Sequence, residues 1–195
     1  MVHREENDEP RVGLPPLPGT YLLVPRFSKR LENVVGKLGV LRVQSGFYLY
    51  VGSALGLGGL AARVGRHCRR EKTLRWHVDY LRAEAQIEAV WYTAGKSHRE
   101  CRWASALSRL PGASVPPTGF GASDCGCESH LFFFTLPPSV ADFRKNLRNQ
   151  RIESRRIADF KGAKNAVAAS VRWPASDPAV RLPGQPCHRG RWHRA

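Results

Sequence analysis

The residues best suited to chemistry fall into three groups. One is thiol and imidazole: Cys125-Gly126-Cys127 with His130, and Cys101 further back. Thiolate and imidazole are the ligands zinc prefers, normally on a C-x₂₋₄-C spacing. Here the spacer is a single glycine and there is no second clean pair, so zinc is the weaker reading and reduced thiols lining a loop the stronger. A further group is basic. Arg63 and His67 stand one helical turn apart, and Arg66 and Arg70 repeat that spacing; a solvated helix face is the plain reading of such a row. The remaining group is Tyr21, Tyr50 and Glu100. A phenol with a reference pKa of ~10 acts as a base at neutral pH only where neighbouring positive charge lowers it. Taken singly, Tyr21 and Tyr50 read as strand aromatics, with Tyr48 alternating onto the face of Tyr50. Glu100 reads as the far end of a capping box begun by Ser97. His77 and Asp79 fall on neighbouring helical positions, not one face, which argues against a shared acid–base role.

The elements that must position these groups follow from hydrophobic pattern. Residues 19–24, bounded by Pro18 and Pro25, read as a strand, as do 38–43 and the aromatic run 46–52. A glycine-rich loop over 53–59 leads into a helix over 60–71, with Leu60, Val64 and Cys68 as a narrow apolar stripe. A second helix over 74–85 buries Trp76, Val78 and Leu81, and residues 86–93 form a further strand. A third helix over 97–110 turns Trp103, Leu107 and Leu110 inward, and Pro111-Gly112 ends it. Residues 112–130 read as loop and 131–135 as a buried closing strand. This order predicts an α/β fold: a small, mainly antiparallel sheet flanked by helices.

On these elements, Gly19-Thr20-Tyr21 and Tyr50-Val51-Gly52, followed by Arg63 and His67, resemble the motif series of the GIY-YIG nuclease superfamily. The chain is more closely similar to the branch sometimes fused to an endonuclease III-type repair enzyme. Supporting stretches are Val35-Gly-Lys-Leu-Gly39, Tyr50-Val-Gly-Ser-Ala-Leu-Gly56, Trp76-His-Val-Asp-Tyr-Leu81, Glu100-Cys101, Gly119-Phe-Gly-Ala-Ser-Asp-Cys125 and Ser129-His-Leu-Phe132. The resemblance covers residues 19–136 and implies metal-dependent hydrolysis of phosphodiester bonds in DNA, in repair or processing. It implies one Mg²⁺ or Mn²⁺ held by Glu100, a hard ion suited to oxygen ligands. It further implies that Tyr21 or Tyr50 orients or deprotonates the attacking water, that Arg63 meets the charge of the transition state, and that His67 relays a proton. Lys37, Arg66 and Arg70 are the expected nucleic-acid contacts. Two positions depart from the pattern. Ser53 stands where many of these nucleases carry lysine, and Gly112 stands near the place of an asparagine. Ser123, Asp124 and Ser129 are the candidates to substitute, with His130 in support. These departures motivate a rival reading, a non-catalytic nucleic-acid-binding module on the same fold; a zinc-stabilised interaction domain is the third.

Composition sets the outer bounds. The 195 residues suit one domain with appendages, and 42% are hydrophobic, enough for a core. Lys and Arg number 31 against 16 acids, giving a formal charge of +15 that favours polyanionic partners without choosing DNA over RNA. Residues 139–195 hold 13 basic and 4 acidic side chains, net +9, and carry Trp173 and Trp192 among arginines, where bases could stack. The expected organisation is a disordered segment over 1–18, the nuclease-like domain over 19–137, a basic and partly helical extension over 138–164, and a disordered basic tail over 165–195. No apolar run reaches the length of a membrane span and the start lacks a signal-peptide pattern. The expected location is therefore cytoplasmic, with nucleoid association compatible with the charge, and the odd count of five cysteines suits reduced thiols or metal ligands.

Overall fold

In the computed structural model, residues 13–35, 39–69, 73, 77–82, 84–116, 118–150 and 157–161 are described. In chain order the elements are β1 (Gly19–Phe27), β2 (Leu31–Val34), β3 (Val40–Val43), β4 (Gly46–Ala54), α1 (Gly59–Cys68), α2 (His77–Arg82), β5 (Gln86–Ala94), α3 (Glu100–Ser108), β6 (Leu131–Phe134), α4 (Val140–Asn149) and β7 (Ala158–Lys161). Strand β1 is buried at every position except Arg26, because it is the central strand of a five-stranded sheet ordered β6-β4-β1-β5-β7. Every pairing in that sheet is antiparallel. Pro25 lacks an N–H for the ladder, and the β1–β5 register shifts between Val24 and Pro25 as a bulge.

The period-2 alternation of β1 sends its side chains into two separate cores. Tyr21 and Leu23 join Leu60 and Val64 of α1 and Val78 and Leu81 of α2 on one face. Leu22 and Val24 join Trp103 and Leu107 of α3 and Phe143 and Leu147 of α4 on the other. Trp103 meets Phe143 edge-on at 5.3 Å between centroids. Each of these large side chains, fully withdrawn from water, contributes about 1.5–3 kcal/mol. The architecture is the expected α/β fold, with helices on both faces of an antiparallel sheet.

The structure corrects several boundaries. A separate two-stranded hairpin, β2–β3, pairs Leu31 with Val43 and Val34 with Val40, so the second expected strand has an unforeseen partner. Residues 13–18, expected to be disordered, are tied to the fold: Leu14 is buried, and the carbonyls of Pro15 and Leu17 accept from Ala61 and Leu60. The expected boundary at 137 is too early, since α4 lies on the second core and β7 extends the sheet beyond β5. Residues 1–12 and the tail over 165–195 lie outside the described residues, as does Trp76. Among the described residues no helix is long and apolar enough to cross a membrane.

Candidate functional site

Tyr21 on β1 lies directly across from Gly52 on β4. A Cβ added at Gly52 would sit 2.4 Å from the Tyr21 hydroxyl oxygen. The missing side chain is what lets the phenol cross its neighbouring strand and reach α1. Helix α1 is held by the chain before β1: Leu60 and Ala61 donate to Leu17 and Pro15 at 2.9 and 3.2 Å. Gly59, at φ +53°, permits this contact, since a Cβ there would meet the Leu17 carbonyl oxygen at 2.2 Å. The first N–H groups of α1 are therefore satisfied by the protein's own carbonyls.

With α1 so fixed, the Tyr21 hydroxyl lies 2.8 Å from His67 Nε2. His67 Nδ1 lies 3.2 Å from Asp79 Oδ1 on α2, and all three side chains are buried. An ionised carboxylate only accepts, so Nδ1 carries the proton and Nε2 accepts from the phenol. The second carboxylate oxygen accepts from Arg66 Nη1 at 2.8 Å, and Arg66 Nη2 donates to the Thr73 carbonyl at 2.6 Å. Asp79 belongs to a hydrogen-bonded chain because its partners His67 and Arg66 come from α1, a pairing beyond the reach of spacing within its own helix. Arg66, expected as a nucleic-acid contact, is engaged with Asp79. Lys37 and Arg70 lie outside the described residues.

The phenols also differ from expectation. Burial raises the Tyr21 pKa well above its ordinary value, with Tyr50, Glu100 and Asp79 adding to the rise and Arg63 opposing it. Tyr50 is likewise raised, by burial first and then by Glu100, Asp79 and Asp124, again against Arg63. Positive charge from Arg63 is present, but loss of water outweighs it. Both tyrosines are thus neutral hydrogen-bond donors at neutral pH.

A cavity of about 370 Å³ collects the expected residues: Tyr21, Tyr50, Arg63, His67 and Glu100 line it, with Ser53, Ser123 and Asp124. They arrive from β1, β4, α1, the start of α3 and the loop before β6. A hollow of about 590 Å³ beside β3, lined by Val40, Tyr48 and Phe133, contains none of them. Glu100 opens α3, and the capping box with Ser97 does not form; Arg99 is the N-cap, and its side chain does not cap the helix. Tyr48 is packing, its ring edge-on to Phe27 at 5.2 Å and its hydroxyl accepting from Gln44 N. Ser129 serves its own turn, exchanging hydrogen bonds with the backbone of Leu131. His77 also lines the cavity, and no sequence argument placed it there. Gly121 N donates to its Nδ1 at 3.0 Å, so the neutral ring carries its proton on Nε2, and burial lowers its pKa.

Glu100 and Asp124 both act on Tyr50, and both oppose the burial that lowers His130. Two carboxylates and the hydroxyls of Ser53 and Ser123 line this one cavity, and oxygen donors of that kind suit a hard divalent cation. His130 does not line that cavity. It joins Cys101, Cys125 and Cys127 in a cluster whose ligand atoms all lie within 4.8 Å of one another and could hold a metal ion. The short spacer that told against zinc is offset by Cys101, which α3 brings in from outside the loop. Burial, with hydrogen bonds to Cys101 and Cys125, pushes the Cys127 thiol up to about 12.

The profile of the family described as "Domain of unknown function DUF123" matches residues 20–152, which contain every described cavity residue named above. No curated protein and no solved structure matches the chain.

Proposed function

This chain belongs to the DUF123 family, and we propose that it is a metal-dependent endonuclease hydrolysing phosphodiester bonds in DNA, on the pattern of the GIY-YIG nucleases its tyrosine motifs resemble. The observation that carries the proposal is the hydrogen-bonded chain Tyr21–His67–Asp79 opening into the cavity that Arg63 and Glu100 also line. A raised phenol is a poor base alone. A phenol that can pass its own proton to a waiting imidazole is a better one. As a water is deprotonated by the Tyr21 oxygen, the phenolic proton moves to His67 Nε2, and Asp79 stabilises the resulting imidazolium while holding the ring's orientation. The hydroxide attacks phosphorus, the departing oxygen takes a proton from solvent, and the imidazolium returns its proton to the Tyr21 oxygen as the phenol releases its own to solvent, restoring the starting state. Arg63 offers a planar fork of donors to the negative charge gathering on the phosphoryl oxygens. Tyr50, neutral, donates and orients. Mg²⁺ or Mn²⁺, held by Glu100 with Asp124 beside it, would supply charge stabilisation to the phosphoryl group and leaving oxygen.

The rival reading is a nucleic-acid-binding module without hydrolysis, and Ser53 in the lysine position favours it. The two are separated by incubating the purified chain with labelled single-stranded, nicked and branched DNA at low salt with Mg²⁺ or Mn²⁺. Metal-dependent cleavage that is lost in Arg63→Ala and Glu100→Gln supports the enzyme. Salt-sensitive binding with intact DNA, unchanged by Glu100→Gln, supports the module. Cleavage undiminished in Arg63→Ala identifies a contaminant.

A further inference from the structure

None of the residues of the thiol–imidazole cluster lines the cavity, and the cluster takes no part in the chemistry above. Its members come from three places: Cys101 in the first turn of α3, Cys125 and Cys127 in the loop before β6, and His130 at the end of that loop. The spacing is that of a first coordination shell. Cys125 Sγ and His130 Nε2 are 3.5 Å apart; in tetrahedral zinc, with Zn–S about 2.3 Å and Zn–N about 2.0–2.1 Å, sulfur and nitrogen stand about 3.6 Å apart and two sulfurs about 3.8 Å. The remaining atoms, within 4.8 Å, need to draw in by no more than about 1 Å to meet that geometry.

We propose that Cys101, Cys125, Cys127 and His130 form a structural Cys₃His zinc site. Thiolate with imidazole in a tetrahedral array selects zinc over the hard cations expected at Glu100. Four protein ligands close the shell, leaving no position for a reacting water, so the site is structural. On loading, the three thiol protons pass to solvent as three Zn–S bonds and one Zn–N bond form, and the centre carries a net charge of −1. The backbone of His130 is held at both ends: its N–H donates to Phe120 O at 2.7 Å and its carbonyl accepts from Val51 N at 2.9 Å. The ion therefore ties the start of α3 and the loop to the central sheet. Glu100 and Asp124 each directly precede a ligand in the chain and both line the cavity, so zinc bound to Cys101 and Cys125 constrains their separation. The site is inferred from its ligands alone and does not rest on phosphodiester hydrolysis.

The test is metal content of the full chain, purified in a reducing buffer without chelator. One zinc per chain is expected by elemental analysis. After removal and replacement by Co²⁺, the spectrum should show thiolate charge transfer in the near ultraviolet and the visible bands of tetrahedral cobalt. Cys101→Ser and Cys127→Ser should lose the bound zinc, whereas Cys68→Ser and Cys187→Ser should retain it. Substoichiometric zinc both as purified and after reconstitution overturns the site, as does an octahedral cobalt spectrum without charge transfer or a disulfide among the three cysteines in the reduced preparation. Because the cobalt measurement uses the unaltered chain, a variant that fails to fold does not shelter the proposal. Cleavage activity without zinc would overturn this inference and leave the proposed nuclease standing; zinc without cleavage would do the reverse.

Discussion

Tyr21 and Tyr50 look alike in the sequence and differ in the structure. Both are buried and raised, yet Tyr21 is hydrogen-bonded to an imidazole, which makes it the better candidate for the base. Tyr21→Phe keeps the ring and removes the transfer. Cleavage should fall by roughly 10²–10⁴-fold, the usual contribution of a positioned acid–base group. Stability should fall by only about 1–3 kcal/mol, for the His67 nitrogen left without its donor. Single-turnover cleavage and chemical denaturation check the two halves; a loss of activity matched by unfolding would void the assignment. His77 offers a pH test. Its folded pKa lies below the usual 6.5, so just under pH 6.5 the unfolded chain binds more protons, and stability falls as pH drops toward the folded value. His77→Gln can still accept from Gly121 N and should lose that part of the slope, seen as a smaller difference in Tm between pH 7 and pH 5. The five leading residues were legible because each sat in a patterned context. Asp79 was not, since its partner lies 12 residues earlier on a different helix, and spacing within one helix says nothing of that.

Between elements, the pairing of β1 with β4 is what brings the Tyr21 phenol over Gly52. Gly52→Ala would place a Cβ 2.4 Å from the hydroxyl oxygen and 2.6 Å from the carbon bearing it. The ring must then move away from His67, at an overpacking cost of about 1–3 kcal/mol. Adding Tyr21→Phe removes one of those two contacts, so the double variant should be more stable than the sum of the single effects. Additivity would mean that the ring escapes without touching Gly52. The main strands and helices were legible from periodicity, because each buries a long apolar face. β2 and β7 were not: half of the positions in Leu-Glu-Asn-Val and Ala-Asp-Phe-Lys are polar or charged, whereas the equally short β3 and β6 are almost wholly apolar and stand out from loop. The attachment of residues 13–18 was equally hidden, since it depends on backbone carbonyls of Pro15 and Leu17 and not on side-chain type. Proline-rich composition pointed the other way.

For the whole molecule, the question is how the charge of +15 divides between the cavity and the rest of the chain. Some cations near the cleft already have partners, as Arg66 does with Asp79, so not every basic residue is a phosphate contact. Residues 165–195 hold five arginines and a single acid. If they neutralise phosphates, each contributes about 0.9 to the slope of log K against log salt. Changing Arg172, Arg181, Arg189, Arg191 and Arg194 to Gln in the full chain should then reduce that slope by up to about 4.5 on duplex DNA, and weaken binding most at low salt. The cavity residues are untouched, so the cleavage rate at saturating DNA should stay within about twofold, well inside the loss expected from removing a catalytic group. Fluorescence anisotropy over a salt series gives the slope and single-turnover assays give the rate. An unchanged slope would assign phosphate binding to the folded unit alone, whereas a fall in the saturated rate would mean that these arginines also position the scissile bond.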